Sequence, residues 1–62
     1  MKPEEARAAL RLYAHCLSPE AEAAADEYIA EAEHQDGEEY WEQFATAEQL
    51  IADFALYLEA AA

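Results

Sequence analysis

The chain carries few side chains that could perform covalent chemistry. Its nucleophile candidates are Ser18, Thr46 and Cys16, and the first two stand where helix N-caps are expected. Cys16 directly follows His15, but neighbouring side chains on a helix diverge by about 100° and do not face each other. We therefore favour a buried structural cysteine over a thiolate nucleophile. The sequence predicts a protein that is not an enzyme and has no catalytic residue.

One motif, Glu31-x-x-His34, has a precedent as a pair of metal ligands. In ferritin-like carboxylate proteins, such an i, i+3 pair supplies two ligands to a di-iron centre. That centre needs a second pair and two further glutamates, which only a symmetric dimer could supply here. A simpler interpretation places His34 in the last turn of a helix, where a cation favours the negative end of the helix dipole. We predict no metal site and no cofactor, and keep a metal-binding half-site at Glu31 and His34 as a lesser alternative.

Charge is the property of this chain that points towards a partner. Its 62 residues include 15 Asp and Glu against 3 Lys and Arg, a formal net charge of −12. Lys2, Arg7 and Arg11 are the three bases, so the chain from Leu12 onward has no Lys or Arg. Two carboxylates one helical turn apart, at about 6 Å, repel by roughly 0.7 kcal/mol in water before salt screening. Direct binding to nucleic acid is excluded as a function, because the phosphate backbone would be repelled.

Helix signals place two helices in the first part of the chain. An early proline and an apolar repeat at helical spacing predict a first helix over about residues 3–17. Ser18 as N-cap and Pro19 at the first helical position predict the start of a second helix. That helix is expected to run to about Asp36 and to end at Gly37, the only glycine, where a left-handed C′ residue is wanted.

A third helix is predicted for the rest of the chain. Asp36 is a candidate N-cap, with Glu39 as its capping-box partner. The segment Tyr40–Leu58 contains the only tryptophan, both phenylalanines and many aliphatic side chains, so we expect the other helices to pack on it. Thr46 and Gln49 repeat the capping-box pattern inside this segment. They indicate either a break in the helix or an exposed threonine within it.

These segments predict an all-α fold, a compact bundle of three helices, or of four if the last helix breaks near Thr46. The whole chain, 1–62, is expected to form one helical domain, and its small size keeps a homodimer open. Trp41 is expected at the edge of the apolar face of the last helix, and Leu56 is expected to be exposed. That face is formed by Tyr40, Phe44, Ala47, Ile51, Phe54 and Leu58.

The second helix carries acids on both flanks of an apolar stripe made mostly of alanine. No base on this helix neutralises them, and Arg7 and Arg11 are placed to reach Glu4 on their own helix. The predicted partner-binding residues are Glu20, Glu27 and Glu31 on one flank, Glu22, Asp26 and Glu33 on the other, and Asp36, Glu38 and Glu39 at the following turn.

Three explanations for this acidity remain open. The first is solubility or adaptation to a salty cytoplasm, and the second is an interaction module for a basic host protein. The third is imitation of DNA, which carries one negative charge per about 1.7 Å of helix axis. A helix of 18 residues spans roughly 27 Å, about 8 base pairs at 3.4 Å each, so its two acidic flanks could present charge as two strands do.

In size, helical character and charge, the chain resembles small acidic, often phage-encoded inhibitors that imitate DNA, including several anti-CRISPR proteins. The resemblance implies that the protein occupies the basic channel in which a CRISPR effector complex, or another DNA-handling enzyme, holds its target duplex. Such a protein needs no catalytic residue. The alternative is an acidic adaptor or small homo-oligomeric interaction protein that binds a basic host protein through apolar anchors such as Trp41 or Leu56.

The expected location follows from the N-terminal segment and the single cysteine. Acids occupy the place where a signal peptide has its apolar run, and no stretch approaches about 20 apolar residues. Cys16 alone forms no internal disulfide. We expect a cytoplasmic protein, in the host cell if it is phage-encoded, with no membrane partner.

Overall fold

The computed structural model describes residues 1–61 and contains three α-helices and one 3₁₀ helix. Helix α1 covers Pro3–Leu17, α2 covers Pro19–Asp36 and α3 covers Ala47–Ala61, with the 3₁₀ helix at Gly37–Gln43 between α2 and α3. The all-α fold predicted from the sequence is confirmed. The described residues contain no strand, and none of their helices is long and apolar enough to cross a membrane.

A single residue, Ser18, ends α1 and begins α2. Its N–H donates to the carbonyl oxygen of Ala14 at 3.2 Å, and its hydroxyl oxygen accepts from the N–H of Ala21 at 3.0 Å. Pro19 follows at the first helical position, where its missing N–H costs nothing. The predicted cap is confirmed, and the extended backbone of Ser18 reverses the chain so that α2 returns along α1.

Gly37 ends α2 with a positive φ of 68°, as the sequence predicted. Its ψ of −166° places it outside the left-handed helical region, so the predicted left-handed conformation is wrong. Gly37 lies instead in a region that is essentially restricted to glycine. The predicted capping box at Asp36 and Glu39 is wrong. Asp36 is the last residue of α2, with φ −117° and ψ −3°, and its side chain makes no capping hydrogen bond within residues 1–61. An N-cap needs extended backbone, which Asp36 lacks.

Replacing Gly37 by alanine or asparagine should lower the free energy of unfolding by about 1–3 kcal/mol, the cost of this backbone conformation for any other residue. Among the described residues, no neighbouring atom would lie within 4 Å of an added Cβ, so backbone strain is the whole effect. Urea unfolding followed by circular dichroism measures it. Asparagine tolerates the left-handed helical region, so an asparagine variant as stable as wild type would contradict the observed ψ.

The long third helix predicted from the sequence is broken at residues 44–46, so of the two alternatives left open at Thr46 the structure shows the break. Thr46 Oγ1 accepts from the N–H of Gln49 at 3.3 Å, and Gln49 Oε1 accepts from the N–H of Ala45 at 2.8 Å. The two bonds form a capping box whose return bond reaches one residue further back than usual. The amino group of Met1 covers the other side of the break by donating to the carbonyl oxygens of Trp41, at 3.1 Å, and Phe44, at 2.6 Å.

The break changes which residues form the core. Leu50 on α3 is fully buried although it was not predicted, whereas Ile51, predicted as core, is only partly buried. One residue corresponds to a rotation of about 100° about the helix axis. Trp41 is also fully buried, so its predicted place at the edge of the apolar face is wrong. As a group, the largest fully buried side chains come from three elements: Trp41, Phe54, Leu10 and Leu50.

Candidate functional site

The bases of α1 point across to α2 instead of pairing on their own helix. Arg7, Arg11 and His15 follow one another at four-residue spacing, which places them on one face of α1. The expected pairing of Arg7 and Arg11 with Glu4 is absent from residues 1–61. The observed partners are Glu33 and Glu38 for Arg7, Asp26 for Arg11 and Glu22 for His15.

These contacts run along one side of α2, which we call the inner flank: Glu22, Asp26 and Glu33. The Arg11–Asp26 distance is 3.5 Å, and its side chains are 57% and 70% exposed, so this pair contributes little to stability. His15 lies 3.5 Å from Glu22 and adds charge only when it is protonated. The charge of the inner flank is therefore partly neutralised within the molecule, whereas the sequence predicted that the acids of this helix would have no neutralising base.

Glu33 has a second role that distinguishes it from the other acids. Its carboxylate accepts a hydrogen bond of 2.8 Å from Nε1 of the buried Trp41, and another from Arg7. The bond from Trp41 and the charge of Arg7 lower the pKa of Glu33 below its ordinary value of 4.5. Glu33 thus satisfies the one polar group of the core tryptophan and ties α2 to α1 and to the 3₁₀ helix.

Replacing Glu33 by alanine should lower the free energy of unfolding by about 1–3 kcal/mol, because the buried indole N–H of Trp41 would lose its acceptor. Glu31→Ala, which removes an exposed acid of the same helix, is the matched control and should change stability by less than about 0.5 kcal/mol. A carboxylate with a lowered pKa stabilises the fold above its unfolded pKa and ceases to do so as pH falls through the folded value. The difference between wild type and Glu33→Ala in urea unfolding should therefore shrink as pH falls below 4.5. A difference that stays constant or grows with acidity would contradict this role.

The opposite side of α2 carries acids that α1 does not reach. We call it the outer flank: Glu20, Glu27 and Glu31. All three are exposed, and within residues 1–61 none lies within ion-pair distance of a base. From the first to the last of them the helix rises about 16 Å, close to five base-pair steps of duplex DNA at 3.4 Å each. Three charges over this length are fewer than the five phosphates of one DNA strand.

The turn after α2 adds further exposed acids. Asp36 and Glu39 have no base within ion-pair distance among the described residues, whereas Glu38 lies 3.2 Å from Arg7 and is 67% exposed. Of the nine predicted partner-binding acids, five have no ion pair within residues 1–61: Glu20, Glu27 and Glu31 on the outer flank, with Asp36 and Glu39 at the turn.

A polar cluster that the sequence reading missed lies between α2, the 3₁₀ helix and α3. The hydroxyls of Tyr28 and Tyr40 both donate to Oδ2 of Asp53, at 2.6 and 3.2 Å, and lie 2.8 Å from each other. Burial and the bond to Asp53 raise the pKa of Tyr28, so its phenol stays protonated. One feature of the sequence could have indicated this cluster: Asp53 is a single acid between apolar residues of the most apolar helix.

This cluster forms one wall of an open groove of about 360 Å³. The groove is lined by Tyr28, Glu31, Ala32, Gln35, Tyr40, Asp53, Leu56 and Tyr57. Leu56 is 64% exposed, as the sequence predicted. No base lines the groove within the described residues, so its polar character is set by two carboxylates, an amide and three phenols.

The residues singled out for metal or thiol chemistry remain isolated. Within the described part of the chain, no three His, Cys, Asp or Glu side chains come together as metal ligands, and the Glu31 and His34 pair gains no third ligand. Cys16 is exposed, so the expectation of a buried structural cysteine is wrong. Its helix-mate His15 faces Glu22 on α2.

No protein-family model, curated protein or solved structure matches this chain.

Proposed function

We propose that the protein acts by binding, as an acidic inhibitor that occupies a basic DNA-binding surface on another protein. The observation that carries this proposal is the separation of charge across α2. The bases of α1 pair with the inner flank and with Glu38, while the outer flank, Asp36 and Glu39 have no ion pair within residues 1–61. A net charge of −12 on 62 residues gives the whole molecule a strongly negative field.

A surface that normally holds duplex DNA is the partner most suited to this field. Such surfaces carry Lys and Arg spaced to meet phosphates along a groove. The outer flank offers three carboxylates over about 16 Å of helix, and the turn continues the acidity beyond the end of that helix. We propose the basic channel of a CRISPR effector complex, or of another DNA-handling enzyme, as the binding site. Complementary fields would also speed the encounter, by an amount that falls with salt.

A second candidate is supported by the exposed leucines. Leu12, Leu17 and Leu56 are 66%, 51% and 64% exposed, and apolar side chains that become fully desolvated dominate ordinary interfaces. They favour an acidic adaptor, or a self-associating protein, that binds a basic host protein. Under this alternative, Leu56→Ser should weaken binding more than loss of the acids of the outer flank. Under the leading proposal, the order is reversed.

The test is duplex binding by purified CRISPR effector complexes and other DNA-handling enzymes, with and without this protein. We expect at least one to lose its affinity for a fluorescent duplex. The inhibition should weaken at least about tenfold between roughly 50 and 200 mM salt, since the contacts are between exposed charges. Inhibition that is insensitive to salt, or a partner whose contact surface carries no positive charge, would contradict the proposal.

A further inference from the structure

The groove beside the tyrosine cluster has the chemistry of a receptor for one basic side chain. Two acids, Asp53 and Glu31, line it together with three tyrosine rings, and no base among residues 1–61 lines it with them. Its volume of about 360 Å³ lies near the lower limit for small-molecule sites. A groove of this size suits a single long side chain better than a larger ligand.

Hydrogen bonds to one oxygen fix the carboxylate of Asp53 in place, and its other oxygen remains able to accept. Both phenols donate to its Oδ2, and among residues 1–61 no group donates a hydrogen bond to its Oδ1. The carboxylate is only partly buried, so a donor can approach from the groove. An acid whose orientation is already fixed loses little freedom when it binds a cation.

The rest of the groove matches the two parts of an arginine side chain. The rings of Tyr40 and Tyr57 are partly exposed, and a planar guanidinium stacks on such rings while it donates to carboxylates. Burial raises the pKa of both phenols, so the rings remain uncharged at neutral pH. The exposed Leu56 offers apolar surface for the aliphatic stem of the arginine.

We infer that this groove binds an arginine side chain of the partner protein, with the guanidinium held by Asp53 and Glu31 and flanked by Tyr40 and Tyr57. This inference depends on the proposed function, since it names the group through which a basic partner is recognised. It adds a point of specificity to an attraction that is otherwise carried by distributed charge. The outer flank is continuous with the groove, because Glu31 belongs to both.

The direct test is an NMR titration of the full chain with the peptide Gly-Gly-Arg-Gly-Gly. We expect saturable shifts concentrated at Tyr40, Asp53, Leu56 and Tyr57. A peptide with citrulline, which has the same shape without the charge, should bind at least about tenfold more weakly, as expected for loss of a charge-assisted bidentate contact. Equal binding of the two peptides, or shifts spread evenly over all the acids, would overturn the inference.

Variants separate the groove from general acidity. Asp53→Asn keeps an oxygen that can accept hydrogen bonds from both phenols and removes the charge. This variant should bind the arginine peptide at least about fivefold more weakly than wild type. Leu56→Ala changes an exposed residue that the fold does not need, so it should weaken binding with unchanged stability. Glu4→Gln removes the same charge from an exposed position on α1 and should leave binding unchanged. Wild-type affinity in both groove variants would overturn the inference.

The same variants distinguish this inference from the proposed function. If Asp53→Asn and Leu56→Ala inhibit duplex binding by the partner as well as wild type does, the groove is not used and the proposed function stands. If the wild-type protein inhibits no DNA-binding protein and yet binds the arginine peptide in the groove, the groove is real and the proposed function fails.

Discussion

Removing the three charges of the outer flank, with Glu20, Glu27 and Glu31 all changed to Gln, should weaken inhibition of duplex binding about 100-fold. Each carboxylate that is desolvated against a partner's Lys or Arg at the interface is expected to contribute at least about 1 kcal/mol, and 1.4 kcal/mol corresponds to a tenfold change in affinity. Stability should stay the same or rise, because the change relieves repulsion along α2 and breaks no internal ion pair within residues 1–61. The measurements are half-inhibition of duplex binding and urea unfolding of the same variant.

The matched control removes three charges elsewhere on the surface, with Glu4, Glu5 and Glu59 all changed to Gln. These acids lie on α1 and α3 and are exposed, so the net charge changes equally while α2 is left intact. We expect inhibition to weaken less than about threefold, through reduced steering alone. Equal losses in the two triple variants would show that total charge matters and that the outer flank does not, and the proposed binding surface would then be wrong.

Trp41→Ala should remove most of the free energy of unfolding of this small domain. Trp41 is fully buried, packs against the rings of Tyr28 and Tyr40, and donates its N–H to Glu33. Truncation of a buried tryptophan costs about 3–5 kcal/mol, and a domain of this size has a free energy of unfolding of only about 3–9 kcal/mol. Urea unfolding followed by circular dichroism should show a midpoint far below that of wild type, or no folded baseline at all.

Trp41→Phe is the control for this variant, since it keeps a ring in the core and removes the hydrogen bond to Glu33. This variant should remain folded, with a free energy of unfolding about 1–3 kcal/mol lower than that of wild type, because the ring is smaller and the hydrogen bond is lost. A Trp41→Ala protein with a wild-type urea midpoint would contradict the burial of this residue. Since Trp41 is buried, loss of partner binding in Trp41→Ala would reflect unfolding and would not support an interface anchored on this side chain.

Local chemistry made several parts of the fold predictable from the sequence. Ser18 and Pro19 specify a helix start through hydrogen bonds to residues three or four positions away, and Thr46 with Gln49 does the same for α3. Gly37 was recognisable because only glycine adopts its backbone conformation at low cost. In each case the interacting residues lie within a few positions of each other, so their spacing in the sequence is sufficient to predict the helix end.

The predictions that were wrong concern ion pairs and burial that depend on how the helices pack together. Arg7 can reach either Glu4 on its own helix or Glu33 on the next, and only the pairing of α1 with α2 decides between them. The burial of Trp41 follows from the 3₁₀ helix that carries it, because 3₁₀ geometry places successive side chains differently from an α-helix.

The candidate site was predictable only in part. The acids of the outer flank were identified from charge and helical spacing. The cluster of Tyr28, Tyr40 and Asp53 joins three elements across separations of 12 to 25 residues, and no sequence spacing encodes it. The groove that this cluster forms was therefore out of reach of the sequence alone.

The most direct test of a DNA-mimicking role is a competition between this protein and duplex DNA for one purified DNA-binding partner. The concentration of wild-type protein that gives half-inhibition should rise in proportion to the duplex concentration once the duplex exceeds its own Kd, because both would occupy the same basic surface. A half-inhibition point that stays constant as duplex is added would contradict this account.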